Sequence, residues 1–323
     1  MVTVPTNDGR TAAASERAGI VTSVRLVEAS KTAARLRAGE IRSDAEIESI
    51  RAAAIVAHAA LDAALKGAKA GVAPTSLAAI VAGIIAAERA ECALAGVVAD
   101  RPERYPADCC IGVNDRFLHS VPSGDPLKDG DVVTVDVAVR LRGWCADVAG
   151  CTVIGRGTAR THAMVEGCHE MLRAATSRIA PGVRWSRVAE AMQQIAQDRS
   201  LGIVTSLSGH GIGRVLHESP IVPCAVDRQL RDHTDFTLLP GMVLCVEPAV
   251  VEHADGVRCV DADGCAVGVQ LVECEDGWSL RTASGRPGCA VERTLVVTKT
   301  GCEVLGETTG EARASRSTTV RSI

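Results

Sequence analysis

Two aspartates lie in segments that are predicted to be β-strands, where a buried carboxylate needs a cation or a hydrogen-bond donor to compensate its charge. Asp136 lies within the apolar segment 132–139, whose valines alternate with other residues in the pattern of a β-strand. Asp147 lies in a second strand-like segment, residues 144–154, after a short turn at residues 142–143. Antiparallel strands joined by such a turn can bring the two carboxylates to one face, where they would form a hard-oxygen site for a divalent metal. The alternative is one aspartate in a turn and another at a sheet edge.

A histidine and two glutamates in the second half of the chain are also candidate metal ligands, because they too are polar residues within apolar or glycine-rich segments. His210 lies between glycines in the segment SGHGIGRVLHES, where the backbone can approach a ligand closely, and His217 follows in the same segment. Glu247 and Glu292 each interrupt an apolar segment that is predicted to be a strand. These two strands are predicted at residues 243–251 and 288–297. Burying a carboxylate is costly without a cation or hydrogen-bond donors, so a solvated face does not explain the set.

The elements that carry these residues are predicted to form an α+β fold of two related halves. Residues 43–46 form a capping box, with serine first and glutamate three residues later, which predicts the start of a helix. Residues 71–78 and 182–189 match in glycine, valine, hydroxyl and apolar positions, a weak internal repeat. Helices are predicted from residue 43 to about 66, from 77 to about 89, from 161 to 179, and through residues 188–195. We expect them to cover one face of a mostly antiparallel sheet.

Composition and charge restrict the classes of function. The chain has 323 residues, of which 47% are apolar, enough for a domain with a substantial core. Its formal net charge of −4 gives no general reason to bind nucleic acid or an anionic membrane. The sequence contains neither an uncharged apolar run of membrane-spanning length nor a signal-peptide pattern, so we expect a cytoplasmic protein. We also expect a monomer. Thirteen scattered cysteines without a CxxC pair favour a reducing compartment over a disulfide framework.

Three segments are expected to lie outside the central domain or to interrupt it. Residues 1–40 lack sustained periodicity and are predicted to be a mobile N-terminal extension. Residues 307–323 are rich in Thr, Ser, Gly and Arg and are predicted to be a disordered tail. Residues 250–275 contain two Asp-Gly turn signals and are predicted to be an inserted hairpin. The folded domain is then expected at residues 41–306.

In their order and context, the four carboxylates and the histidine resemble the ligands of the type I methionine aminopeptidases, enzymes of peptidase family M24 with the pita-bread fold. The resemblance covers residues 43–306. The matching segments are VNDRFLHSVP, LKDGDVVTVDVAV, GWCADVAGCTVIG, SGHGIGRVLHESP, LLPGMVLCVEP, DGWSLRT and AVERTLVVT. It implies a metal-dependent aminopeptidase that removes the N-terminal methionine from peptides and nascent proteins.

The resemblance also implies a metal centre of two divalent ions. Asp136 would chelate one ion, Asp147 and Glu292 would bridge both, and His210 and Glu247 would complete the other. Oxygen and imidazole ligands accept Co, Mn, Fe or Zn, so the identity of the metal cannot be read from the sequence. In this family the ions activate the water that attacks the peptide carbonyl.

Other residues of the family pattern imply roles in substrate binding and catalysis. Glu247 matches the residue that carries protons. His119 matches the histidine beside the substrate amine, and His217 matches the one that contacts the peptide carbonyl, so both would stabilise the developing oxyanion. The candidate lining of the substrate pocket is Tyr105, Cys110 and Trp278.

Departures from the family pattern concern the substrate side of the site. Ser120-Val121 replaces the usual Gly-Ile, Arg293 replaces His or Asn, and Leu216 and Val291 stand where aromatic residues are common. The resulting hypothesis is a less aromatic pocket that admits leucine or norleucine more readily. Two alternatives stay open: a proline-directed aminopeptidase or prolidase of the same fold, and a non-catalytic peptide-binding paralogue.

Overall fold

The computed structural model describes most of the chain between residues 41 and 307. The described residues are 41–95, 97, 104–252, 261 and 263–307. The predicted extension at residues 1–40 lies outside them, as does the predicted tail apart from Glu307. Residues 253–260 and 262, within the predicted inserted hairpin, also lie outside them.

The helices form two pairs, in agreement with the predicted repeat. They are α1 (Asp44–Gly67), α2 (Pro74–Ala87), α3 (Ala159–Arg178) and α4 (Trp185–Asp198), with a π-helical turn at Leu230–Thr234. The capping box is present at the start of α1, where the Ser43 N–H donates to the Glu46 carboxylate at 2.9 Å. Pro74 occupies the first turn of α2, where its missing N–H is not needed for a helical hydrogen bond.

The strands are all paired antiparallel, as predicted. In chain order they are β1 (Glu91–Cys92), β2 (Cys110–Val113), β3 (Arg116–Leu118), β4 (Val132–Leu141), β5 (Trp144–Val153), β6 (Leu201–Ile203), β7 (Gly209–Gly211), β8 (Glu218–Val222), β9 (Val243–Val246), β10 (Ala249–Glu252), β11 (Leu271–Glu273), β12 (Leu280–Thr282), β13 (Gly288–Ala290), β14 (Arg293–Val297) and β15 (Cys302–Val304). One sheet has the order β1-β4-β2-β3-β12-β11, with β5 also paired to β4. The other two have the orders β13-β10-β6 and β15-β14-β9-β7-β8.

Each helix pair covers its own half of the structure. The small residues of α1 pack in one buried cluster with β4 and β5, and Leu61 belongs to this cluster. The helix approaches β5 so closely that a Cβ at Gly150 would lie 3.0 Å from the Leu65 side chain. The α3–α4 pair buries Trp185 and three methionines against the strands of the second half. The two cores therefore lie on either side of the strands that carry the polar residues.

The hairpin β4–β5 brings the two aspartates to one face. Asp136 pairs with Ala149 and Ala138 pairs with Asp147, so the carboxylates lie diagonally across the pair. Arg142 and Gly143 both have positive φ angles, 51° and 79°, and form the two-residue turn that matches the twist of the strands. The predicted hairpin and the shared face are confirmed.

The prediction of continuous strands around the two glutamates is wrong. The chain breaks at Glu247 and Pro248 between β9 and β10, and it breaks again before Glu292 between β13 and β14. At each break the chain passes between the sheet that contains β9 and β14 and the sheet that contains β10 and β13. Glu292 instead forms an isolated bridge with Ala149 of β5. Both glutamates therefore lie where the sheets meet.

The predicted hairpin at residues 250–275 is also wrong in its described part. Residues 249–252 form β10, which pairs with β6 and β13. The hairpin in this region is β11–β12, which turns near Gly277. The turn at Asp263-Gly264 is present, since the Gly264 N–H donates to the Asp261 carbonyl at 3.1 Å. The predicted turn at Asp255-Gly256 lies outside the described residues.

The cysteines behave as predicted. All twelve cysteines in the described part of the chain are free thiols, and most of them are buried among apolar residues. Among the described helices, none combines the length and the apolar character needed to cross a bilayer.

Candidate active site

Four of the five predicted ligands converge at the junction of the sheets. Asp136, Asp147 and Glu292 each offer an oxygen, and the three oxygens lie within 4.8 Å of one another. His210 forms a second group of this size with Glu292 and Cys245, and a third with Asp147 and His217. Because the three groups share members, the four side chains surround one small volume.

The fifth predicted ligand, Glu247, lies outside these three groups of described residues. Its charge nevertheless raises the pKa of Asp136, second in size only to the effect of burial. The carboxylate therefore lies near the same centre, at the β9–β10 break. Whether it coordinates a metal stays a prediction.

The backbone around the carboxylates is held by side chains of β14. The Thr294 hydroxyl donates to the Asp147 carbonyl at 2.8 Å and accepts from the Asp147 N–H at 2.9 Å. The Arg293 guanidinium donates to the carbonyls of Ala149 and Glu292 at 2.9 and 2.8 Å. These contacts fix β5 against the break that carries Glu292, so the two proposed bridging carboxylates keep their spacing.

The electrostatics of the centre favour a bound cation. Burial and neighbouring carboxylate charges raise the pKa of Asp136 to about 7 and that of Glu247 to about 8. The same causes raise the pKa values of Asp147 and Glu292 well above their usual range. Such shifts show that negative charge is poorly compensated by the described protein groups, which is typical of a functional site.

Unpaired buried oxygens fit this interpretation. Oδ1 of Asp136, Oδ1 of Asp147 and Oε1 of Glu292 are buried and have no hydrogen-bond partner in the described part of the chain. Buried polar atoms are nearly always hydrogen-bonded, and three such oxygens in one cluster call for a missing partner. A divalent cation supplies that partner because carboxylate oxygens are among its preferred ligands.

His210 is in the state that a metal ligand requires. Burial, followed by the charge of His217, lowers the pKa of His210 to about 3, so its imidazole is neutral. Its Nδ1 lies 3.0 Å from the Gly211 carbonyl, which assigns the ring proton to that nitrogen. Nε2 then presents its lone pair to the centre, 4.0 Å from both Asp147 Oδ2 and Glu292 Oε1. The donor set fits a divalent metal.

Of the two other predicted histidines, His217 lies beside His210, and His119 lies in the loop after β3. The His217 ring is exposed and meets the His210 ring edge-on, with 4.5 Å between centroids. His119 directly follows β3 and has a positive φ of 48°. This conformation is unfavourable for a residue with a Cβ and is found disproportionately at functional sites.

The loop that carries His217 is anchored to Arg42, near the first of the described residues. The Arg42 guanidinium forms an ion pair with Glu218, the residue after His217, and the Glu218 carboxylate also accepts from the Val215 N–H at 3.0 Å. The Arg42 N–H in turn donates to the Gly241 carbonyl at 2.8 Å. Residues 215–218 are therefore held by contacts that sequence analysis missed, because their partners are about 175 positions apart.

The three candidate pocket residues form one buried cluster. Tyr105, Cys110 and Trp278 pack together, with Val121 against them, and the Tyr105 and Trp278 rings meet edge-on at 5.3 Å between centroids. Cys110 pairs with Asp136 across β2 and β4, so the cluster adjoins the predicted metal ligands. This arrangement is suited to an apolar side chain beside the centre.

The positions of Leu216 and Val291 do not support the hypothesis of a less aromatic pocket. Leu216 is 4% exposed and Val291 is fully buried, and each packs in a separate core cluster that does not include Tyr105 or Trp278. The family resemblance suggested them as pocket residues, because aromatic residues are common at both positions in the family. The packing of both side chains in these clusters favours a role in the core, and their effect on the pocket stays a prediction.

Comparisons with known proteins agree with the geometry. Residues 48–299 match the sequence model of Metallopeptidase family M24. A methionine aminopeptidase of Treponema pallidum is 31% identical over 214 residues, which are 66% of this chain and 77% of that protein. The crystal structure of a methionine aminopeptidase from Thermotoga maritima superposes with a TM-score of 0.73 at 28% identity, covering 83% of this chain and 99% of that one. A prolidase from Pyrococcus furiosus shares the fold, with a TM-score of 0.59, 19% identity, and 83% and 66% coverage.

Proposed function

Since the chain belongs to metallopeptidase family M24, we propose that it is a methionine aminopeptidase that removes the first residue from peptides and nascent proteins. The observation that carries the proposal is the cluster of unpaired, buried oxygens of Asp136, Asp147 and Glu292 beside the neutral imidazole of His210. The likeness to the Treponema pallidum and Thermotoga maritima enzymes supports the reaction. We place the peptidase domain at residues 41–306.

The proposed centre holds two divalent ions, with Co, Mn, Fe or Zn as candidates. When bound, such ions polarise a carbonyl and lower the pKa of water. Asp147 and Glu292 are proposed to bridge the ions, with Asp136 on one side and His210 and Glu247 on the other. Glu247 is also proposed to carry protons, because it lies near the centre without belonging to the three tight ligand groups.

The substrate is proposed to lie between the metal centre and the Tyr105 cluster. His119 would lie beside the substrate amine and the scissile amide, His217 would contact the peptide carbonyl, and both would stabilise the oxyanion as it forms. The rings of Tyr105 and Trp278 would contact the side chain of the first residue. Methionine suits this surface because its flexible thioether packs favourably against ring edges.

The alternatives receive less support. The likeness to the prolidase is at 19% identity and concerns the fold. A non-catalytic peptide-binding protein has no use for four clustered carboxylates, two of them on the buried residues Asp147 and Glu292, since burying each costs free energy unless a cation compensates it. The donor set is therefore better explained by a working metal centre.

A cleavage assay with three peptides tests the proposal. The metal-free protein is reconstituted with each candidate metal and incubated with Met-Ala-Ser, Ala-Pro-Ser and Gly-Gly-Ser. We expect release of free methionine from the first peptide and little cleavage of the other two, together with loss of activity on chelation. Preferred cleavage of Ala-Pro-Ser would instead identify a proline-directed enzyme, and metal binding without cleavage would identify a binding protein.

A further inference from the structure

A hydrogen-bonded cluster joins the start of β3 to the turn before β12. The Arg116 guanidinium donates through Nη2 to the Val121 carbonyl at 3.1 Å and to the Ser279 hydroxyl at 2.7 Å. It also forms an ion pair with the Asp276 carboxylate. The pairs span about 160 positions in sequence between Arg116 and the turn.

Ser279 lies at the middle of this cluster and is fully buried. Its hydroxyl accepts from Arg116 and, at 3.0 Å, from the Val121 N–H, and it donates to Asp276 at 2.6 Å. One donor and two acceptor positions are all that a hydroxyl has, so every one is used. Val121 is thereby held at both its N–H and its carbonyl.

The opposite side of the cluster holds Trp278. Asp276 Oδ1 accepts from the Trp278 N–H at 2.9 Å and from the Ser279 N–H at 2.8 Å, which fixes the turn that presents the indole. Trp278 and Val121 both belong to the apolar cluster around Tyr105. The contacts of Arg116 therefore tie together two parts of the proposed pocket wall.

The same contacts close the turn that carries His119. Arg116 begins β3 and bonds to Val121, five residues later, so the intervening chain forms a closed loop. His119 lies in this loop with its positive φ of 48°. A strained conformation persists only where surrounding contacts determine it. Here the contacts of Arg116 and Ser279 with Val121 act together with those of the Ser120 carbonyl. That carbonyl accepts from the Ile111 N–H and the Tyr105 hydroxyl at 3.0 Å each.

We infer that Arg116 is a positioning residue of the proposed peptidase, one that sets both the pocket wall and the placement of His119. The inference rests on the proposed function. Arg116 is suited to this role because a guanidinium holds several acceptors in fixed directions and keeps its charge at every physiological pH. Its side chain is 35% exposed and that of Asp276 is 28% exposed, so the ion pair itself should add little to stability. Loss of Arg116 should therefore affect catalysis more than folding.

The test uses Arg116→Met and Ser279→Ala, with Ser279→Thr as the conservative variant that keeps a hydroxyl. Arg187→Met is the matched control, because Arg187 forms an exposed ion pair with Glu190 away from the site and is 72% exposed. For each metal-loaded protein, kcat and KM are measured on Met-Ala-Ser and on a matching peptide that begins with leucine. The urea concentration at the midpoint of unfolding is also recorded.

We expect Arg116→Met to lower kcat/KM on Met-Ala-Ser about 10- to 100-fold, since small misplacement of reacting groups has effects of this size. KM should rise as the wall loosens, kcat should fall as His119 moves, and the preference for methionine over leucine should decrease. Ser279→Ala should change the same quantities in the same direction, whereas Ser279→Thr and Arg187→Met should resemble the wild type.

An active wild type with unchanged kcat, KM and methionine preference in both Arg116→Met and Ser279→Ala would overturn the inference and leave the proposed function intact. If Arg116→Met does not fold, Ser279→Ala decides alone, because it keeps the charges and removes only the hydroxyl. A metal-loaded wild type that cleaves no peptide would instead overturn the proposed function.

Discussion

Removing the metal ions should make the protein less stable as the pH rises through neutrality. In the metal-free fold, burial raises the pKa values of Asp147 and Glu292 well above their usual range, and neighbouring carboxylates add to the effect. Unfolding returns both groups to water, where their pKa values are near 4. The folded state then holds more protons than the unfolded state at pH 7, so the free energy of unfolding falls as the pH increases.

The size of this decrease in the free energy of unfolding follows from the number of protons that are released on unfolding. Each carboxyl that stays protonated in the folded state contributes about 1.4 kcal/mol per pH unit, so Asp147 and Glu292 together give up to about 2.7 kcal/mol from pH 6.5 to 7.5. Asp136 and Glu247, with pKa values of about 7 and about 8, add about 2 kcal/mol.

His58 and His210 act in the opposite direction, because burial lowers their pKa values to about 4 and about 3 and the folded state holds fewer protons on them. From an unfolded pKa near 6.5, the two histidines together return about 0.7 kcal/mol over this interval, and the Cys151 thiol, whose pKa is lowered to about 6, returns about 1 kcal/mol. The net loss of unfolding free energy is about 3 kcal/mol.

Urea unfolding of the chelated protein at pH 6.5 and 7.5 measures this loss. The metal-loaded protein should not lose stability between these pH values, because bound divalent ions keep the carboxylates ionised in the folded state. In the chelated protein, Glu292→Gln removes one titrating group and should lower the carboxyl contribution by about 1.4 kcal/mol, whereas Glu190→Gln at the surface should leave it unchanged. Chelated wild type whose stability stays constant or rises between the two pH values would refute the reasoning.

The remaining predictions concern single residues of the site. Asp147→Ala or Glu292→Ala should abolish activity and lower the bound metal measured by mass spectrometry, because each is proposed to bridge both ions; full turnover with two ions bound would contradict that role. His217→Ala should lower kcat about 10²–10³-fold with metal content unchanged, and loss of metal in this variant would show that His217 is a ligand instead. Leu216→Phe should cost about 1–3 kcal/mol in urea unfolding through overpacking and leave the ratio of kcat/KM for methionine and leucine peptides unchanged, whereas a shifted ratio would place this side chain in the pocket.

Local signals predicted the elements that carry the aspartates. The capping box at residues 43–46, the alternation around Asp136 and the turn at Arg142-Gly143 each determine structure within a few residues, and all three are present. Their consequence, the shared face of Asp136 and Asp147, follows from strand geometry alone. The family resemblance then supplied the order of the other site residues.

The strand breaks at Glu247 and Glu292 could not be predicted in the same way. Apolar residues continue through both breaks, so the sequence pattern is that of one strand, while the chain changes sheets at each. Pro248 was a usable signal, because proline cannot donate to a strand ladder. At Glu292 no local signal exists, and the break depends on pairing with Ala149, more than 140 positions away.

Contacts between distant segments explain the other differences. Arg116 lies in a short segment whose sequence gives no sign of a partner, and its contacts with Asp276 and Ser279 arise only because β3 pairs with β12. Leu216 lies next to His217 in sequence but points into the core. Adjacency along the chain therefore predicts the region of the site, and long-range pairing decides which side chains enter it.

The most direct test of the central claim is a metal titration of the chelated protein, followed by release of free methionine from Met-Ala-Ser. The unpaired oxygens of Asp136, Asp147 and Glu292 predict that methionine release appears only as the metal binds, and that Glu292→Gln binds less metal and releases no methionine at any metal concentration. Methionine release by fully chelated wild type, or metal binding at this centre without any release, would contradict the account.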